Sequence, residues 1–119
     1  MALTILIALA GVMGACGIMV AAAGAHVAPG VGLDSASSML LLHAVAVVGG
    51  AALIQQGLLW RPLAVAALAA WVLGAALFSG DIALRAFTVH RLFPFAAPTG
   101  GFILILAWLG LAVAASLRG

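Results

Sequence analysis

His26, His43, Ser79, Asp81, Arg85 and Thr99 are the side chains with which this otherwise oily chain could do chemistry. Histidine gains and loses a proton near neutrality. A carboxylate set beside it would make a proton-accepting couple or a small ion- or ligand-binding spot. Ionisable groups inside a membrane are costly and face a partner or a cavity, so His43 and Asp81 carry the most information. Asp81 has a close partner in sequence. Arg85 follows four residues later in the favoured acid-then-base order, and a cation suits a helix C-terminus. An interfacial ion pair is therefore the first expectation for Asp81, and coupling to His26 or His43 the second. His43 by itself reads most simply as a hydrogen-bonded residue that holds two helices together. A proton relay would need polar groups across the whole bilayer, and the opposite half offers only Gln55, Gln56 and Thr4.

Metal chemistry finds little support in the spacing. His26, His43 and Asp81 could form a three-ligand set, and Met13, Cys16 and Met19 are soft donors of the kind copper(I) accepts. Those last three spread over much of one helix's circumference, and no H-x-x-x-H, C-x-x-C or E-x-x-H pattern occurs. A haem held between His26 and His43 would need them on opposite faces, yet both lie toward the same one. No metal and no cofactor are expected. No nucleophile–base constellation is visible, and Asp81 has no second carboxylate at helical spacing, so enzymatic activity is not expected either. The run Pro98-Thr99-Gly100-Gly101 could present backbone N–H groups to an anion at a helix start. The favoured reading is that its glycines let the fourth helix approach the first or third closely.

The elements that must position these groups are set by composition. Of 119 residues 68% are hydrophobic and 5% charged, and the net charge is only +2. With no basic cluster, nucleic-acid binding is excluded as an expectation. Uncharged apolar runs cover 2–25, 35–59, 62–80 and 92–117. A bilayer core needs about 20 helical residues, and helices satisfy their own backbone in lipid. The prediction is an all-α integral membrane bundle of four antiparallel transmembrane helices. They are placed at about 3–26, 35–58, 62–86 and 98–117, in a single domain over residues 1–119. The first run lacks a basic start and is too long for a signal peptide, so it is read as a retained span. Cys16 is the only cysteine, which rules out an intrachain disulfide.

Pro29 and Gly30 should end the first helix near His26, and Asp34 or Ser35 should cap the second. Trp60-Arg61-Pro62 reads as a very short turn, with Pro62 in the first turn of the third helix. The stretch 88–97, with His90, Arg91, Phe93 and Phe95, suits the headgroup interface. Four spans put both termini and the 2–3 turn on one face. On that layout His26, His43, Ser79, Asp81 and Thr99 all fall in the other, loop-side half and could converge. Arg61 and Arg118 then oppose Arg85 and Arg91, a tie under the positive-inside rule. Engagement of Arg85 by Asp81 tips the reading toward cytoplasmic termini, in a bacterial inner membrane.

Lipid tails are as apolar as Leu, so these helices must associate through small residues that allow close backbone approach. Gly14, Gly17 and Gly24 form a stripe with Ala21, and Gly49 sits beside Gly50 in the second run. Gly74 serves the third run, and Gly100 and Gly101 the fourth. A tight bundle with little central volume follows. A stripe left unused inside it could dock a partner helix.

Gly24-Ala25-His26, His43-Ala44, Leu77-Phe78-Ser79-Gly80 and Ala97-Pro98-Thr99-Gly100-Gly101 fall in an order and spacing that carry a resemblance. Together they resemble the YgdD/YwdK-type family of small four-helix membrane proteins, a domain of unknown function with a eukaryotic transmembrane relative. The resemblance covers nearly the whole chain and implies the same four-helix membrane fold. Members of that family often carry a second His where this chain has Leu40, and Ser where it has Asp81. The family brings no settled activity with it. The functional expectation is a non-enzymatic structural or accessory protein whose partners are the lipid bilayer, other integral membrane proteins or itself. The alternative is a small proton- or ion-linked carrier using the His/Asp polar cluster.

Overall fold

The computed structural model describes residues 1–30 and 32–118. Its helices are α1 (Ala2–His26), α2 (Leu33–Gln55), α3 (Arg61–Thr88) and α4 (Ala96–Leu117). Each is long and apolar enough to cross a membrane. Packing is unequal. α2 lies against both α1 and α3, whereas the backbone of α4 packs only against α3 and that of α1 barely reaches α3. The two middle helices accordingly bury about twice the share of their residues that α1 and α4 do. The core runs along this seam through Leu6, Met13, Val47, Leu68, Trp71 and Leu104.

The ends of α2 differ from the sequence expectation for a reason that lies in two glycines. Neither Asp34 nor Ser35 caps the helix. Gly32 does, at φ 82°, with no side-chain bond. That left-handed residue lets Leu33 enter the helix early and be almost fully buried. Asp34 falls in the first turn instead, where a negative charge suits the helix dipole, and Ser37 Oγ donates to its carbonyl at 3.0 Å. At the other end Gly57, φ 74°, ends the helix at Gln55. Its N–H donates to Ile54 O and that of Leu58 to Leu53 O, the paired bonds of a Schellman stop. The link to α3 is thus 56–60 rather than a bare Trp60-Arg61-Pro62 turn.

α3 opens as expected, with Pro62 in its first turn. The Trp60 N–H donates to Ala114 O at 2.8 Å and ties this start to the last turns of α4. α4 begins at Ala96, earlier than expected, after Phe95 at φ 65°. Pro98 tolerates this because the first turn requires no N–H from it, and Ala96 and Ala97 gain burial.

The small residues divide sharply. A Cβ on Gly100 would lie 2.6 Å from Phe78 N and 2.7 Å from Gly74 O, so α3 and α4 cross backbone to backbone at Gly74 and Gly100. Of the two helices α4 could have approached, it is α3. At Gly17 a Cβ would meet Leu41 Cγ at 2.7 Å, and at Gly24 Leu33 Cβ at 3.2 Å. Gly14 and Gly101 have only ordinary contacts, at 3.9 Å to Ala44 and 4.0 Å to Phe78. Gly49 has no neighbour within 4 Å and is not a packing residue. Gly50 takes that role against Leu68 Cδ1, 2.7 Å from a Cβ there. The inward phase of α2 runs through Val47, Gly50, Ala51 and Ile54, which turns Gly49 outward.

Candidate functional site

His43 stands at the centre of α2, not in the loop-side half, because the helix starts early and stops early. Its ring is 2% exposed. Nδ1 lies 2.8 Å from Met39 O, one turn back. Nε2 lies 3.0 Å from Trp108 Nε1 on α4. A carbonyl can only accept and an indole N–H can only donate. The ring in this arrangement is therefore neutral, with its proton on Nδ1 and a bare Nε2. This bond carries α4 across to α2, whose backbones do not meet.

Two tryptophans complete the cluster. The Trp71 and Trp108 rings lie 4.3 Å apart at 49°, and His43 meets each edge-on at 6.2 and 6.0 Å. Trp71 is the largest fully buried side chain. Its Nε1 has no hydrogen-bond partner among the described residues. An unpaired buried donor costs about 1–3 kcal/mol, offset here by the ring contacts that Trp71 makes with Trp108 and His43.

Ser79 and Asp81 act elsewhere. Ser79 Oγ donates to Ala36 O at 2.8 Å, fully buried, and fastens α3 to the first turns of α2. Asp81 is 2% exposed, and both its oxygens are engaged. Oδ1 accepts from Leu92 N at 2.9 Å, and Oδ2 lies 3.3 Å from Arg85 Nε. The expected ion pair is present, and the same carboxylate also anchors the 89–95 connection, a role the spacing did not suggest.

The sequence-selected residues therefore do not converge. His26 is exposed at the end of α1, and Thr99 is exposed in the first turn of α4, with its N–H on Phe95 O. Among the described residues no three His, Cys, Asp or Glu side chains gather to hold a metal, so His26, His43 and Asp81 are not a ligand set. Gly100 and Gly101 lie beyond the first turn of α4, where their N–H groups belong to the helix ladder. That removes the anion-binding arrangement. What remains is a set of ties: helix to helix at His43 and Ser79, helix to loop at Asp81.

A protein-family model described as "Protein of unknown function (DUF423)" matches residues 20–101, more than half of the chain. The chain belongs to the DUF423 family. That agrees with its resemblance to an uncharacterised family of small membrane proteins. No curated protein and no solved structure matches the chain. The DUF423 match takes in His26, His43, Ser79, Asp81, Arg85 and Gly100, but Trp108 lies beyond it. Trp108 and Trp71 are also the residues that sequence reasoning passed over. One signal was present: a buried indole N–H seeks an acceptor, and His43 is the acceptor-bearing ring deep in an apolar run.

Proposed function

We propose that this DUF423 protein is a non-enzymatic structural or accessory membrane protein of four antiparallel spans, which packs against partner membrane proteins or further copies of itself. The observation that carries this reading is the fate of its buried polar side chains. His43 uses both ring nitrogens, Ser79 its hydroxyl and Asp81 both oxygens to hold the chain together. A carrier would need at least one titratable group free to exchange partners, and the one unpaired buried donor among the described residues, Trp71 Nε1, is an indole N–H that only donates. Antiparallel spans are supported by the tie from Trp60 to Ala114 and by Thr4, Gln55 and Arg61 lining one cavity. A docking role gains support from an apolar cleft of about 390 Å³ between α1 and α3, floored by Leu40 and walled by Val12, Cys16 and Val72. The Asp81–Arg85 contact weakens the loop-side charge and favours cytoplasmic termini in a bacterial inner membrane.

The test compares Asp81→Asn and His43→Ala with the parent chain. Both should lower its abundance in membranes and its comigration with partners on native gels, while proton or ion flux in liposomes stays at background. Normal assembly of both variants, together with loss of a pH-dependent flux seen in the parent, would instead establish the carrier.

A further inference from the structure

Between α1 and α2 an apolar surface groove of about 530 Å³ is lined by Ile7, Ala10, Gly11, Ala44, Val45 and Val48, with Gly49 completing it. Its depth comes from Gly11 and Gly49, where an added Cβ would meet nothing within 4 Å. One end opens into a second cavity of about 380 Å³ lined by Leu3, Thr4, Gln55 and Arg61. Ile7 and Val48 line both, so trough and head are continuous. From Leu3 to Gly11 head and trough together follow α1 for about 12 Å at 1.5 Å per residue. Among apolar neighbours the head carries hydrogen-bond donors in Thr4 and Gln55 and a cation in Arg61. Arg61 is exposed and has no salt bridge among the described residues, and no acid lines either cavity.

We propose that this groove binds one anionic phospholipid, with the phosphate at Arg61, Gln55 and Thr4 and an acyl chain laid over Gly11 and Gly49. A guanidinium fork matches phosphate oxygens in geometry and charge. The apolar trough below it takes a hydrocarbon chain, and no polar side chain lines it. A second copy of the chain fits less well. Its two acids, Asp34 and Asp81, lie in the first turn of α2 and near the end of α3, whereas Arg61 neighbours the last turn of α2. Parallel copies in one membrane would keep those charges apart. The site rests on the membrane insertion proposed above.

The experiment is native mass spectrometry of the full chain from detergent, offered equal amounts of phosphatidylglycerol and phosphatidylcholine with identical acyl chains. One lipid should be retained per chain, with phosphatidylglycerol preferred about fivefold, the worth of one basic residue at an anionic headgroup. Arg61→Gln should remove that preference. Gly49→Leu, which fills the trough from open space, should reduce retention of both lipids while helicity by circular dichroism is kept. Gly11→Leu repeats the test from the opposite wall if either change disturbs the fold. Excess glycerol 3-phosphate should not displace the lipid. Equal retention of both lipids by the parent chain, a preference that survives Arg61→Gln, or full retention in both glycine variants would overturn the proposal. Displacement by glycerol 3-phosphate would replace the lipid with a small phosphate ester. Alkaline extraction separates the two readings. Release of the chain from membranes would refute insertion, whereas retention without lipid preference would refute only this site.

Discussion

An indole N–H and an imidazole nitrogen that pair in an apolar interior have few substitutes when one is removed. Trp108 is 40% exposed, so its loss as a donor leaves only Nε2 of His43 unpaired. His43 is enclosed, and removing it forfeits two hydrogen bonds and opens a cavity against Trp71. Trp108→Phe should cost about 1 kcal/mol, the usual worth of an interhelical hydrogen bond in a membrane. His43→Ala should cost about 2–4 kcal/mol. Reversible unfolding in mixed micelles would measure both, and a double-mutant cycle should return a coupling of about 0.6–1.7 kcal/mol. A coupling near zero would mean that the bond across α2 and α4 contributes nothing. The pairing of Asp81 with Arg85 was legible in the sequence because both partners sit on one helix at a fixed offset. The pairing of His43 with Trp108 was not. The partners are 65 residues apart, and their meeting depends on helix depth and rotation, which periodicity alone does not set.

Helix positions were legible along this chain because apolar run length translates directly into span length. The observed ends fall within three residues of the expected ones; the largest shift is at Gly57, and Gly32 sets the early start of α2. Both glycines are visible in the sequence, but only their left-handed conformation ends the helix, and that was not read. Small-residue content announced tight packing without saying which glycines face inward. Gly100 and Gly49 mark the two extremes. Gly100→Ala would drive a methyl into the backbone of Phe78 and Gly74, which cannot rotate away as a side chain can. α3 and α4 would have to separate, at about 1–3 kcal/mol. Gly49→Ala meets open space and gains helix propensity of about 1 kcal/mol. Thermal unfolding in detergent should therefore move down for the first variant and stay or move slightly up for the second. Equal melting of the two would show that the crossing at Gly74 and Gly100 is looser than this geometry.

At the scale of the whole molecule the open question is which way the helices stand. Composition alone leaves Arg61 and Arg118 balanced against Arg85 and Arg91. The orientation proposed above rests on one contact: Arg85 shares its charge with the buried carboxylate of Asp81, while Arg61 has no such partner among the described residues. Loop-side charge is then carried chiefly by Arg91, and the proposed topology puts the 56–60 link on the cytoplasmic side with both ends of the chain. A single-cysteine scan reads this directly. Starting from Cys16→Ser, a cysteine at Gln56 or at Phe93 occupies an exposed position in the connection it reports on. A membrane-impermeant maleimide added to intact spheroplasts should label Phe93→Cys at once and Gln56→Cys only after lysis. The reverse pattern would invert the molecule and show that Arg85 still counts in full despite Asp81. Labelling of both from the same side would be more damaging, since α3 lies between the two positions. It could then not cross the bilayer, and the buried ties at Ser79 and Asp81 would have to be explained as those of a helix lying outside it.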